Sequence, residues 1–193
     1  MVCRIQDLDR MLKDAGKNAL PPNSVEFLSK TSLDFAKISE FLENTQANRP
    51  MAIVDAYRVC PRANEPEMNL GNRLLLWHGT PTRNIAGILS TGMQIRPAGV
   101  DVSGSRHGDG CYFADMAYKE QWREDGTCPL REGLDSVKAL GRHYPDPAGH
   151  WAHTEGFSVP LGEAIVEEGP FVRDYNEYVV YSTPQVRLKY LLR

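Results

Sequence analysis

At 193 residues the chain has room for one core of ordinary size and a small appendage, not for two full domains joined by a linker. With 41% hydrophobic and 24% charged residues it falls among globular proteins rather than disordered ones, and its apolar runs stay far below the roughly 20 residues of a bilayer helix. A formal net charge of −3 argues against direct nucleic-acid binding, because surfaces that grip a phosphate backbone carry an excess of Lys and Arg.

Asp7 and Asp9 interrupt the place where an export signal would keep an apolar stretch, so the expectation is an intracellular chain. Residues 5–15 set Ile5, Leu8, Met11, Leu12 and Ala15 at helical spacing, closed by Gly16 and Pro21-Pro22. A second helix is signalled by Ser32 as N-cap, Asp34 in the first turn and a stripe of Phe35, Ile38, Phe41 and Leu42, ending near Asn44. From Met51 to Val59 alternation fits better, with Met51, Ile53, Tyr57 and Val59 on one face of a strand that Asp55 interrupts.

NEPEMNLGN is a loop by composition, and RLLLW after it is a short apolar run of the kind found in a strand buried on both faces. His78-Gly79 then stands at a strand end. Thr80 can cap the following helix, with Pro81 in its first turn, Ile85, Ile88 and Leu89 as its apolar face and Gly92 beyond its end. A Gly-rich loop from Pro97 to Gly110 leads into Cys111-Tyr112-Phe113-Ala114, with Asp115 as the cap of one more helix. Long loops of this kind are usually functional. Pro145 to Pro160 reads as loop, which argues against a metal pair at His150 and His153. Cys3, Cys60, Cys111 and Cys128 form no C-x-x-C pair or other zinc spacing, so scattered thiols and no metal are expected. Alternation returns in Glu177 to Tyr181 and again through Val186, Leu188, Tyr190 and Leu192, giving two closing strands.

Singly, the chemical signals are weak. A His before Gly at a strand end is usually a turn residue, a strand Glu is usually a surface carboxylate, and Tyr112 alone would be a core aromatic. Gly104-x-x-x-Gly108-x-Gly110 also lacks the strand-to-helix setting of a dinucleotide-binding fingerprint.

Together they are specific. LLLWHGTPTRNIAGILSTGMQI, GDGCYFADMAYK and NEYVVYSTPQVRLKYLL resemble, in order and spacing, three motifs of the poly(ADP-ribose) polymerase catalytic domain, a likeness covering most of residues 51–193. The resemblance implies an α+β domain of the ADP-ribosyltransferase fold, a mostly antiparallel split sheet with short helices. SLDFAKISEFLENTQ resembles the last helix of the family's regulatory helical domain, which divides the chain into a helical segment over residues 1–46 and a transferase domain over 47–193. In the family that bundle restrains access to NAD⁺, so a chain with only its end would stand open.

The same resemblance implies NAD⁺ as co-substrate with no prosthetic group, acceptor proteins as partners, and nuclear residence, while the short apolar runs lead to the expectation of no membrane partner. It carries the family's His–Tyr–Glu triad onto His78, Tyr112 and Glu177. His78 would bond a ribose hydroxyl and hold NAD⁺ bent. Gly79 would clamp the nicotinamide carboxamide with its main chain, which the absence of a Cβ permits. Tyr112 would stack on the nicotinamide. Glu177 would bond the 2′-hydroxyl and oppose the positive charge that develops as nicotinamide leaves. Thr80, Gly87, Gln94, Ala114 and Lys119 complete the NAD⁺-binding set.

The chain departs from the family at several of these places. Gln94 stands where an Arg is usual, and Glu120 where a Ser commonly bonds the carboxamide. The second aromatic wall of the nicotinamide site falls near Trp122 or Arg123. Between Trp122 and Ser136 a core strand of the family is replaced by REDGTCPLREGLD. These departures motivate an alternative function, a catalytically inactive relative that binds NAD⁺, ADP-ribose or a protein; NAD⁺ hydrolysis is a third.

Overall fold

The computed structural model describes residues 25–47, 50–61, 70–96, 107–117, 134–171 and 173–193. The expected helix over residues 5–15, most of the Gly-rich loop, the helix expected after Asp115, the shortened segment, Lys119, Glu120, Trp122 and Arg123 lie outside the described residues. Within them the chain is an α+β unit of short antiparallel strands and two α-helices.

The first sheet has the order β1–β2–β10, from β1 (Val25–Phe27), β2 (Ala56–Val59) and β10 (Tyr190–Leu192), all antiparallel. Strand β10 pairs Leu191 with Tyr57 and Leu192 with Ala56. Successive side chains leave opposite faces of a strand, and the core obeys that rule. Ala56, Tyr190 and Leu192 pack with Ile38 of α1 (Leu33–Thr45), while Val59, Tyr57 and Leu191 pack with Ile85 and Leu89 of α2 (Thr82–Thr91). The sheet is thus sandwiched between two helices. Helix α1 starts where its sequence predicts, with the Ser32 hydroxyl accepting from the Phe35 N–H at 3.2 Å. Asp34 in its first turn accepts from Tyr190 Oη at 2.7 Å and Arg58 Nη2 at 2.5 Å, tying the helix start to both β10 and β2.

The second sheet has the order β3–β9–β4, from β3 (Cys111–Phe113), β4 (Ser136–Ala139) and β9 (Glu177–Val180). Strands β5 (His143–Pro145) and β8 (Ala164–Val166) form one hairpin-like pair, and β6 (His150–Ala152) and β7 (Ser158–Pro160) another. A second stripe of α1 meets β6 and β7: Phe41 packs with Phe157, Val159 and Leu161 and stacks on Trp77 at 4.6 Å between ring centroids.

Several sequence expectations change. The strand expected over Met51–Val59 holds only from Ala56, because the backbone before it turns to pair with the chain end: Val54 and Asp55 donate to the Arg193 carbonyl. RLLLW forms no continuous strand. Leu74 bridges Ser158 in parallel and Trp77 bridges Ala114 antiparallel, so the segment is shared between two neighbours. The segment from Pro145 to Pro160 is no plain loop but a 3₁₀ turn followed by the β6–β7 pair. The closing strand runs only over Tyr190–Leu192. The cap of α2 is Pro81, one residue later than expected, and Thr80 instead accepts a bond from Asn84 Nδ2 at 3.2 Å. Its other end closes on Gly92, whose φ of +82° and N–H bond to the Ile88 carbonyl suit a glycine.

Candidate active site

The segment before His78, β3 and β9 lie side by side. Trp77 and Ala114 exchange backbone bonds of 2.7 and 3.0 Å, and β3 pairs with β9 so that Tyr112 faces Val179 and Phe113 faces Tyr178. Strand spacing is about 4.8 Å, so positions 78, 112 and 177 fall within about two spacings. Tyr112 and Val179 share a face by register, and Glu177, two residues before Val179, leaves the same face. The sequence therefore brings two of the three predicted catalytic residues to one surface through nothing more than strand register.

The third is fastened to them by its own ring. His78 Nδ1 lies 2.9 Å from the Tyr112 carbonyl, and its ring sits 5.5 Å from that of Phe113. A carbonyl oxygen only accepts, so Nδ1 carries the proton and Nε2 keeps its lone pair. The imidazole exposes surface to solvent, yet it is packed deeply enough that desolvation pulls its pKa below the ordinary value against the opposing pull of the Tyr112 bond. It is thus a neutral acceptor at neutral pH.

Tyr112 is held at its far end. Its hydroxyl accepts from the His107 N–H at 3.0 Å and donates to the Gly108 carbonyl at 2.7 Å, and burial raises its pKa. The turn beneath it needs Gly110, where a Cβ would stand 2.6 Å from Val179 Cγ1 and 2.8 Å from the Val180 carbonyl. Glu177 opens β9 with no exposed surface, and His107, also inside the protein, sets Nε2 3.7 Å from Glu177 Oε2. Arg173 Nη2 lies 2.8 Å from the same His107 nitrogen.

The residues beside Glu177 are anchored as firmly. Asn176 Nδ2 and Tyr178 Oη both donate to Asp115 Oδ2, at 2.8 and 2.9 Å, and Asn176 Oδ1 accepts from the Gly141 N–H at 2.9 Å. Burial first, and then the Asp115 charge, push the Tyr178 phenol far above its usual pKa. Asp115, read as a helix cap, here anchors Asn176 and Tyr178. From beneath, α1 contributes Thr45, whose hydroxyl accepts from Trp77 Nε1 at 3.2 Å and whose carbonyl accepts from the Ala117 N–H at 3.0 Å.

The remaining predicted positions are spread more widely. Gly79 is exposed beside His78, and Ala114 is buried at the Trp77 bridge. Gly87 is on the exposed side of α2, with its carbonyl taken by Thr91 Oγ1 at 3.0 Å. Gln94 is exposed and bonds its own helix end, Nε2 to the Thr91 carbonyl at 3.0 Å. Two residues on, Arg96 pairs with Asp109, which ties this segment to the loop before β3. The sequence does not single out His107, Arg173, Asn176 or Thr45 for the site, and it offers Asp115 only as a helix cap. Asn176 and Tyr178 flank Glu177 in the NEY motif, but His107 and Arg173 carry no local signal. Among the described residues no three His, Cys, Asp or Glu side chains gather as a metal site, and no helix is long and apolar enough to cross a membrane.

The family model described as the poly(ADP-ribose) polymerase catalytic domain matches residues 32–121 and 123–193. The chain is 33% identical over 205 residues to human poly [ADP-ribose] polymerase 2, covering 86% of this chain and 35% of that protein. It is 32% identical over 204 residues to poly [ADP-ribose] polymerase of Drosophila melanogaster, covering 86% and 20%. Against poly [ADP-ribose] polymerase 1 of Gallus gallus it is 34% identical over 209 residues, covering 88% and 20%. The chain therefore spans between 20% and 35% of the length of these relatives.

Proposed function

The chain belongs to the poly(ADP-ribose) polymerase family, and from that premise we infer that it is an ADP-ribosyltransferase: it breaks the nicotinamide–ribose bond of NAD⁺ and passes ADP-ribose to protein acceptors. The observation that carries the reading is the register that sets Tyr112 and Glu177 on one face of the β3–β9 pair, with His78 bonded to the Tyr112 carbonyl. The α+β arrangement is taken as the ADP-ribosyltransferase fold.

His78 Nε2, an acceptor because Nδ1 donates to the Tyr112 carbonyl, receives a ribose hydroxyl and holds NAD⁺ for reaction. Gly79 clamps the carboxamide and the Tyr112 ring covers the nicotinamide, with Thr80, Gly87, Gln94, Ala114 and Lys119 completing the set. Nicotinamide leaves with the electrons of the broken bond and becomes neutral. The ribose left behind develops positive charge, which the Glu177 carboxylate opposes; such electrostatic groups are worth about 10²-fold or more in rate. The acceptor then bonds the ribose carbon and loses its proton. The same carboxylate can activate a ribose hydroxyl of a growing chain, which favours polymer formation over single transfer. Acceptor proteins and nuclear residence are carried by the family alone.

A second reading rests on Gln94, a neutral side chain bonded to the end of α2 where the family has a cation. It describes a binding module for NAD⁺ or ADP-ribose without turnover. Nicotinamide release from NAD⁺ separates the two when paired with melting in a nicotinamide-mimicking inhibitor, since a ligand of the native state must raise the melting temperature. Release with a raised temperature supports the transferase, and a raised temperature without release supports the module. Release without labelled protein identifies a hydrolase, and neither response sinks the site.

A further inference from the structure

Glu177 has no exposed surface, so the groups packed around it decide where its carboxylate sits. The described side chains that approach it include His107, with Nε2 at 3.7 Å, and Arg173 bonds that same nitrogen at 2.8 Å. A guanidinium has only donors. His107 Nε2 must therefore be the acceptor, so the imidazole is neutral with its proton on Nδ1, and the positive charge of the cluster sits on Arg173. Because the two distances share one nitrogen, the guanidinium lies within about 6.5 Å of the carboxylate.

His107 is also held by its main chain. Its N–H donates to the Tyr112 hydroxyl at 3.0 Å, and its carbonyl accepts from Tyr181 Oη at 2.6 Å. One residue thus touches the hydroxyl of Tyr112 through its backbone and the carboxylate of Glu177 through its ring, and Arg173 fixes the ring.

We propose that His107 and Arg173 are positioning residues of the reaction site: Arg173 fixes the ring of a neutral His107, and that ring and its backbone together set the Glu177 carboxylate in place relative to Tyr112. The role rests on the transferase reading given above. It does not extend to contact with NAD⁺, so it predicts a loss of turnover with little loss of binding.

The test compares the full chain with Arg173→Leu, Arg173→Lys and His107→Phe, measuring nicotinamide release against NAD⁺ concentration and the melting temperature of each. Arg173→Leu lowers kcat about tenfold or more with KM for NAD⁺ within about twofold, as misplacement of a reacting group does. Arg173→Lys, which keeps a donor and a charge, recovers most of that loss, and His107→Phe falls with Arg173→Leu. A folded Arg173→Leu variant with unchanged kcat overturns the proposal, as does a change confined to KM or a Lys variant no better than Leu. Nitrogen-15 spectra of His107, assigned by its absence in His107→Phe, decide the arrangement apart from turnover. The wild type shows Nδ1 protonated and Nε2 bare, and Arg173→Leu moves the proton to Nε2. A doubly protonated His107 in the wild type at neutral pH overturns the proposal. An inert wild type with the expected tautomer sinks the transferase reading alone and leaves the His107–Arg173 arrangement standing.

Discussion

Replacing Phe41 by Ala removes the side chain that joins α1 to the ground beneath the site. Phe41 is 1% exposed, packs with Phe157, Val159 and Leu161, and stacks on Trp77, the residue before His78, with rings inclined by 21°. Core Phe→Ala substitutions cost about 3–5 kcal/mol through lost transfer energy and the cavity left behind. In a chain of this length each kcal/mol lowers the melting temperature by about 2–4 °C, so a loss near 4 kcal/mol predicts a fall of about 8–16 °C. The assay is thermal unfolding by circular dichroism, with Leu33→Ala as control on the same helix. Leu33 is 63% exposed, and surface changes of that kind stay within about 0.5 kcal/mol. A Phe41→Ala variant within about 1 kcal/mol of wild type, or a Leu33→Ala variant equally damaged, would refute the placement of α1 in this core.

Removing residues 1–46 tests the proposed division of the chain: it strips Ile38, Phe41, Leu42 and Thr45 from buried positions, so residues 47–193 alone should lose cooperative unfolding, and a sharp transition near the wild-type temperature would show that the segment is dispensable. Gly110→Ala should cost both stability and activity, because its Cβ meets the Val180 carbonyl at 2.8 Å and the turn carrying Tyr112 must move; a variant with wild-type melting and turnover would remove that constraint. At Asp34 burial opposes ionisation, but bonds from Tyr190 and His153 and the Arg58 charge together outweigh it, so the folded pKa lies below the unfolded value of 3.8. The stabilisation is therefore present above about pH 4 and is lost as the pH falls through the depressed folded value. An Asp34→Asn chain should show a shallower acid limb in its stability profile, and an unchanged limb would contradict the assignment.

What the sequence made legible was what local chemistry controls. Ser32 and the stripe from Phe35 to Leu42 specify α1 without help, and Ile85, Leu89 and Gly92 do the same for α2. The alternation from Glu177 specifies β9, and the register of that strand does the rest for Tyr112. The failures lie where distant partners decide. RLLLW has the composition of a buried strand, but its partners are Ser158 and Ala114, and sharing itself between them prevents a continuous ladder. The β6–β7 pair contains His150, Trp151 and Pro160 in strands of three residues, too short to show a period. Asp115 has the side chain of a helix cap, but its hydrogen bonds to Asn176 and Tyr178, 61 and 63 residues away, give it another task. His107 was hidden for the same reason, since an imidazole in a Gly-rich loop reads as a solvated turn until Arg173, 66 residues on, is found against it.

The most direct measurement is incorporation of labelled NAD⁺ into protein by the purified chain, beside Glu177→Gln and His78→Ala. The account predicts a ladder of modified species in the wild type, collapse to single units or near-silence in Glu177→Gln, and loss of label in His78→Ala. A folded wild type that adds no label above background, or a Glu177→Gln variant that builds the same ladder, would contradict it.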